Sequence, residues 1–93
     1  AARAYVYDTA RRLSFTGTGQ RVDADATKLF GAQMAKRAAD AAMQVLGGAG
    51  YMGENVVERL WRDAKLLEIG GGTLEAHHKN ITKDLSRNPA LIV

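Results

Sequence analysis

The chain has 93 residues, 46% hydrophobic and 25% charged, with a formal net charge of +3 from 13 basic and 10 acidic residues. That length allows one domain, and the lack of cysteine excludes disulfides and thiolate chemistry. The charges are interspersed, without the basic stripe and aromatic platforms of a nucleic-acid binder. No apolar run is long enough to cross a bilayer, so a soluble, cytoplasmic protein is the expectation.

Ala2, Tyr5, Val6, Thr9, Ala10 and Leu13 recur at intervals of three and four, which predicts a first helix over residues 2–14. Ser14 to Gln20 carries two glycines and several hydroxyls and reads as a loop. Asp23 or Asp25 can cap a second helix, since a short carboxylate satisfies free N–H groups there. Ala26, Leu29, Phe30, Gln33, Met34, Ala38, Ala41, Ala42, Val45 and Leu46 make its broad apolar stripe. Gly47 or Gly48 stops it as a left-handed cap. A third helix is predicted from Glu54 to Glu68, with Glu58 and Arg62 paired at i and i+4. Gly70, Gly71 and Gly72 break it. Thr73 caps a fourth helix through Leu85, and Asn88-Pro89 ends it. Val56-Val57 and Leu91-Ile92-Val93 are too short to argue for strands. The prediction is an all-α, four-helix up-and-down bundle over residues 1–93, with the first helix incomplete. The start at Ala1, already in helical pattern, is expected of a piece of a larger chain.

Two glycine knots carry the interest: Gln44-Val45-Leu46-Gly47-Gly48-Ala49-Gly50-Tyr51 and Ile69-Gly70-Gly71-Gly72-Thr73. A helix that begins at Thr73 points free N–H groups and a partial positive charge at the loop before it. Glycines there leave room for an approaching anion, although they also suit a flexible linker. Gln44 can donate and accept, so it can bind a ligand or satisfy backbone at the helix end. His77 and His78 are adjacent and point about 100° apart on a helix; they read as surface or packing residues, and no metal site is expected. Tyr51 and Trp61 read as core or interface anchors.

The order Q-x-x-G-G-x-G-Y, E-R-x-x-R-D-A-K and I-x-x-G-T resembles the C-terminal end of the acyl-CoA dehydrogenase family, most sharply from Ala26 to Asp84. The resemblance implies the C-terminal helical bundle of a three-part flavoprotein. It implies FAD as cofactor, an acyl-CoA substrate, an electron-transfer flavoprotein as partner, and a homo-oligomer, dimer or tetramer. It places Gln44, Gly47 and Gly48 against the adenosine diphosphate part of an FAD held by a partner subunit. It places Gly72 beside the substrate thioester, and Thr73 to Glu75 on the FAD diphosphate and ribose. Arg59, Arg62 and Asp63 are similar to the family's structural ion-pair set.

Many members carry a catalytic glutamate directly before the Gly-Thr pair, where this sequence has Gly71. Glu68-Ile69-Gly70-Gly71-Gly72-Thr73-Leu74-Glu75 is most similar to the branch that includes isovaleryl-CoA dehydrogenase. In that branch the base stands on an earlier helix, which would precede Ala1. No catalytic residue is therefore expected here, with Glu68 and Glu75 as weak substitutes. Val56 stands where the family often has proline. The space left by Gly71 implies a branched or bulky acyl group. The alternative is a stand-alone helical oligomerisation module, or small accessory subunit, with a degenerate flavin site.

Overall fold

The computed structural model of the chain, described over residues 1–92, is helical throughout, and no strand forms among these residues. Val93, the end of the Leu91-Ile92-Val93 triplet, lies outside them. α1 spans Ala2–Arg11 and runs into a wider π-type turn, Arg12–Thr16. α2 spans Arg21–Leu46, and α3 is one turn, Gly48–Tyr51. α4 spans Val56–Leu67, α5 spans Leu74–Arg87, and a 3-10 turn covers Pro89–Ile92.

The four expected helices form, with shifted ends, and α3 is an addition. α2 begins before either aspartate. The Gln20 N–H donates to Asp23 Oδ2 at 2.7 Å, so Asp23 serves the cap from inside the first turn. Asp25 caps nothing and is buried. Gly47 ends α2 with φ 62°, a conformation costly for any side chain. Its N–H bonds the carbonyls of Met43 at 3.0 Å and Gln44 at 3.2 Å. Gly48 has ordinary backbone and starts α3. α4 starts after Asn55, whose side-chain amide donates to the Ala49 carbonyl at 3.1 Å. At α5 the expected cap forms: Thr73 Oγ1 accepts the Ala76 N–H at 3.1 Å.

α2, at 26 residues, is about 39 Å long. α1, α4 and α5 each pack on it, and none of the three packs on another. Among the described residues, the buried apolar side chains are Leu29 and Ala32 on α2 and Ala64 on α4. Links between α1 and α2 are the Thr9–Thr27 hydroxyl pair at 2.7 Å and the tilted Tyr5 and Phe30 rings, 5.5 Å apart. Between α2 and α4, Lys36 lies 3.6 Å from the centre of the Trp61 ring and 2.9 Å from Asp40 Oδ1. The Trp61 indole N–H donates to that same carboxylate, so Trp61 is an anchor. Lys28 meets the end of α4, whereas Asp40 meets its middle. Asp25 meets His77, and Arg21 meets Asp84. α4 and α5 therefore both run antiparallel to α2 and follow one another along it.

This arrangement leaves much apolar surface uncovered. The accessible area is 6459 Å², against about 5200 Å² for a compact monomer of this mass. The radius of gyration is 16.2 Å, against about 12 Å for a compact chain of this length. Phe15, Tyr7, Val45, Tyr51 and Met52 stand exposed. Between α1 and α2 lies an apolar groove of about 420 Å³, and between α2 and α4 another of about 390 Å³. Their α2 floors, through Ala24, Gly31, Ala35, Ala38 and Ala42, form one stripe of small residues. No helix among the described residues is long and apolar enough to cross a membrane.

The Arg21–Asp84 pair ties the start of α2 to the end of α5. Arg21, mainly by its hydrogen bond, holds the Asp84 carboxyl below its ordinary value. A depressed carboxylate stabilises the fold above the unfolded-state value, about 3.9, and loses that effect as pH falls through the folded value. Arg21→Ala should lower Tm slightly at pH 7, less in high salt because Arg21 is exposed. Melting curves of wild type and variant should converge once pH falls below the lowered Asp84 value; a constant difference across pH would show that the pair is not the source.

Candidate functional site

The second glycine knot is a surface turn held by side chains from α2. Lys28, half-buried on α2, reaches it with Nζ 2.6 Å from the Leu67 carbonyl, 3.0 Å from Gly70 and 3.5 Å from Gly72. A lysine ammonium has three donors, and three carbonyls receive them. The Leu67 carbonyl ends α4, where a cation is favoured by the helix dipole.

Gly71 and Gly72 have φ of 71° and 107°. A methyl group on Gly71 would meet open space, but one on Gly72 would lie 3.1 Å from His77 Nε2. That ring is held in place. His77 Nδ1 lies 2.6 Å from Asp25 Oδ1, with side chains 13% and 7% exposed. His77 Nε2 and Asp25 Oδ2 are buried without a hydrogen-bond partner. Lys28 and Asp25 stand one helical turn apart on α2, so one stretch of that helix grips both sides of the turn.

Several backbone donors of the turn are left without a partner. Among the described residues, the N–H groups of Gly71, Gly72, Thr73, Leu74 and Glu75 meet no acceptor. Thr73 and Glu75 are exposed there, and Gly72 is half-buried. Glu68 pairs with Lys65 at 3.3 Å and lines a groove with Gln33, Lys36 and Arg37, away from the glycine turn's amides.

The first knot is elsewhere. Gln44, Gly47 and Gly48 are exposed at the far end of α2, and Gln44 is about 24 Å along the helix from Lys28. Within one chain the two knots are separate surfaces. Gly50 is buried, with no room for a methyl group because the Met43 carbonyl would be 2.9 Å away. Of the expected ion-pair set, only Arg62 pairs among the described residues, and its partner is Glu58 at 2.6 Å. Arg59 and Asp63 form no pair there. His78 is exposed. No cluster of three or more His, Cys, Asp and Glu among the described residues is placed to hold a metal.

Sequence reasoning missed Lys28 and the Asp25–His77 pair. The signal was there: both α2 residues fall on or beside the stripe of Leu29, Gly31 and Ala32, where an unpartnered charge would be costly. A lysine and an aspartate on such a face require polar partners from another element.

The two glycines of the turn should respond differently to a methyl group. Gly71→Ala should cost about 1–2 kcal/mol for its positive φ alone. Gly72→Ala carries a similar strain plus overlap with an anchored ring, so it should melt at a distinctly lower temperature. Equal losses in thermal melts would mean that Asp25 does not hold the ring.

Residues 1–86 match the family described as "Acyl-CoA dehydrogenase, C-terminal domain". A probable acyl-CoA dehydrogenase of Bacillus subtilis (strain 168) is 53% identical over 58 residues, covering 62% of this chain and 15% of that protein. A mitochondrial isovaleryl-CoA dehydrogenase of Oryza sativa subsp. japonica is 42% identical over 85 residues, covering 91% of this chain and 20% of its own length. A mitochondrial 2-methylacyl-CoA dehydrogenase of Solanum tuberosum is 38% identical over 88 residues, covering 95% and 21%. The chain spans about a fifth or less of the length of these relatives.

Proposed function

The chain belongs to the acyl-CoA dehydrogenase family, as its C-terminal domain, and on that premise we propose that it is part of an FAD-dependent enzyme. The reaction is dehydrogenation of an acyl-CoA thioester between its α and β carbons. What carries the proposal is the turn before α5: unpartnered amides, a helix N-terminus and two glycines with no side chain in the way.

These groups fit the diphosphate of FAD. Backbone N–H groups and a helix dipole hold anionic oxygens without a competing side chain. Thr73 and Glu75 flank the diphosphate and ribose, and Gly72 lies beside the thioester. Gln44, Gly47 and Gly48, too far along α2 to share that ligand, face the adenosine diphosphate part of an FAD in a partner subunit. When bound, FAD supplies the acceptor for the hydride that leaves the β carbon. The chain's own residues bind and orient; they do not remove the α proton. Position 71 is glycine, Glu68 is engaged with Lys65, and Glu75 stands at the cofactor contact.

A homo-oligomer follows from the same reading, and the uncovered apolar area of the helices supports it. An electron-transfer flavoprotein takes the electrons onward. Gly71, with open space where a side chain would stand, supports a branched or bulky acyl group. Two of the relatives are named for isovaleryl and 2-methylacyl substrates.

The test uses the full-length protein and the 93-residue chain side by side. Full-length protein should bind FAD, and a branched acyl-CoA should bleach its visible flavin absorbance, faster than a straight-chain one. The 93-residue chain mixed with FAD and acyl-CoA should give no bleaching. A full-length protein without affinity for FAD would overturn the proposal, and equal rates on both substrates would remove the branched-chain preference.

A further inference from the structure

Resting on the FAD reading above, we propose that Lys28 is a positioning residue: by drawing the carbonyls of the glycine turn inward, it aims the turn's amides at the anion. A peptide unit is planar and trans, so its C=O and the following N–H point in opposite directions. The Gly70 carbonyl lies 3.0 Å from Lys28 Nζ, which sends the Gly71 N–H away from Lys28. The Gly72 carbonyl lies 3.5 Å from the same atom, which sends the Thr73 N–H the same way. Both amides lack an acceptor among the described residues.

Three consecutive glycines would otherwise let these peptide planes turn over, because glycine populates both signs of φ. A flipped plane would present a carbonyl oxygen to the diphosphate in place of a donor. Lys28 prevents that by holding alternate carbonyls with one ammonium. It also sets a positive charge directly behind the turn, half-buried and so weakly screened. The third carbonyl, Leu67, ties the arrangement to the end of α4 at 2.6 Å. Lys28 touches neither flavin nor thioester and acts through the backbone. Lysine on α2 thus converts a flexible glycine run into an oriented set of donors.

A purely structural role, capping α4, would show in stability alone, so the experiment separates the two. In the full-length protein, Lys28→Met removes the donors and keeps the stem. Apo-protein is titrated with FAD by flavin fluorescence, and its Tm is measured without FAD. Amide hydrogen exchange is followed at Gly71 and Thr73. Arg21→Ala, which loosens α2 from α5 at another point, is the stability control. Lys28→Met should weaken FAD binding at least tenfold, beyond any loss in Arg21→Ala, and should alter exchange at both amides in the absence of FAD. Lys28→Arg, which restores donors and charge, should recover most of the affinity. Should Lys28→Met not fold, Lys28→Gln, an uncharged amide donor, is compared in the same way. A lowered Tm with unchanged FAD affinity would overturn the proposal and leave Lys28 a helix cap. Wild-type protein that binds no FAD would instead overturn the functional reading beneath it.

Discussion

Among the described residues, one helix is the main packing partner of the other long helices. α1, α4 and α5 all rest on α2 and on nothing else of comparable size. A helix of this length is not stable by propensity alone; it needs its faces covered. In return, the flanking helices, each amphipathic, find in α2 the one surface that removes their apolar sides from water. The small residues along α2 permit close approach, and Leu29 and Ala32 are buried on it. The polar links are graded by place. Thr9–Thr27 and Asp25–His77 are largely buried and fix register, since a shift would leave a polar atom without its partner. The exposed pairs, such as Arg62–Glu58, add little.

The fold was legible in the sequence because its signals are local. Three-and-four spacing, the Thr73 cap and the glycine stops each act within a few residues, and each falls within a few residues of the observed helix ends. The glycine at position 47 ends α2 as its φ requires. What escaped is what depends on contacts between elements far apart in the chain. Nothing near Asp25 says that it will face His77 and not cap the helix, since both roles suit a short carboxylate. The residues that open α2 are equally ambiguous: Asp23 serves Gln20 from within the first turn, and that cannot be told from a cap by composition. The end-to-end placement of α4 and α5 also has no local signature, because it is set by which part of α2 each helix contacts.

The candidate site was half legible. The glycines and the helix N-terminus that follows them could be seen, and they suggested anion binding. They could not separate a flexible linker from a shaped turn. The difference lies in the carbonyls, and those are held by a side chain from some forty positions earlier in sequence. An ammonium on one side and unpartnered amides on the other make the two faces of the same backbone chemically opposite. His77 adds a steric floor beneath Gly72. A linker has none of these features.

The length of α2 also acts as a ruler. Its Lys28 end holds one glycine knot and its Gln44 end holds the other, with uninterrupted helix between. Inserting or deleting a single residue in that interval would rotate one knot by about 100° relative to the other and displace it by about 1.5 Å. Length variation among homologues should therefore collect in the Arg12–Gln20 connection or beyond Arg87, and the interval from Lys28 to Gln44 should keep a fixed residue count even where its amino acids drift.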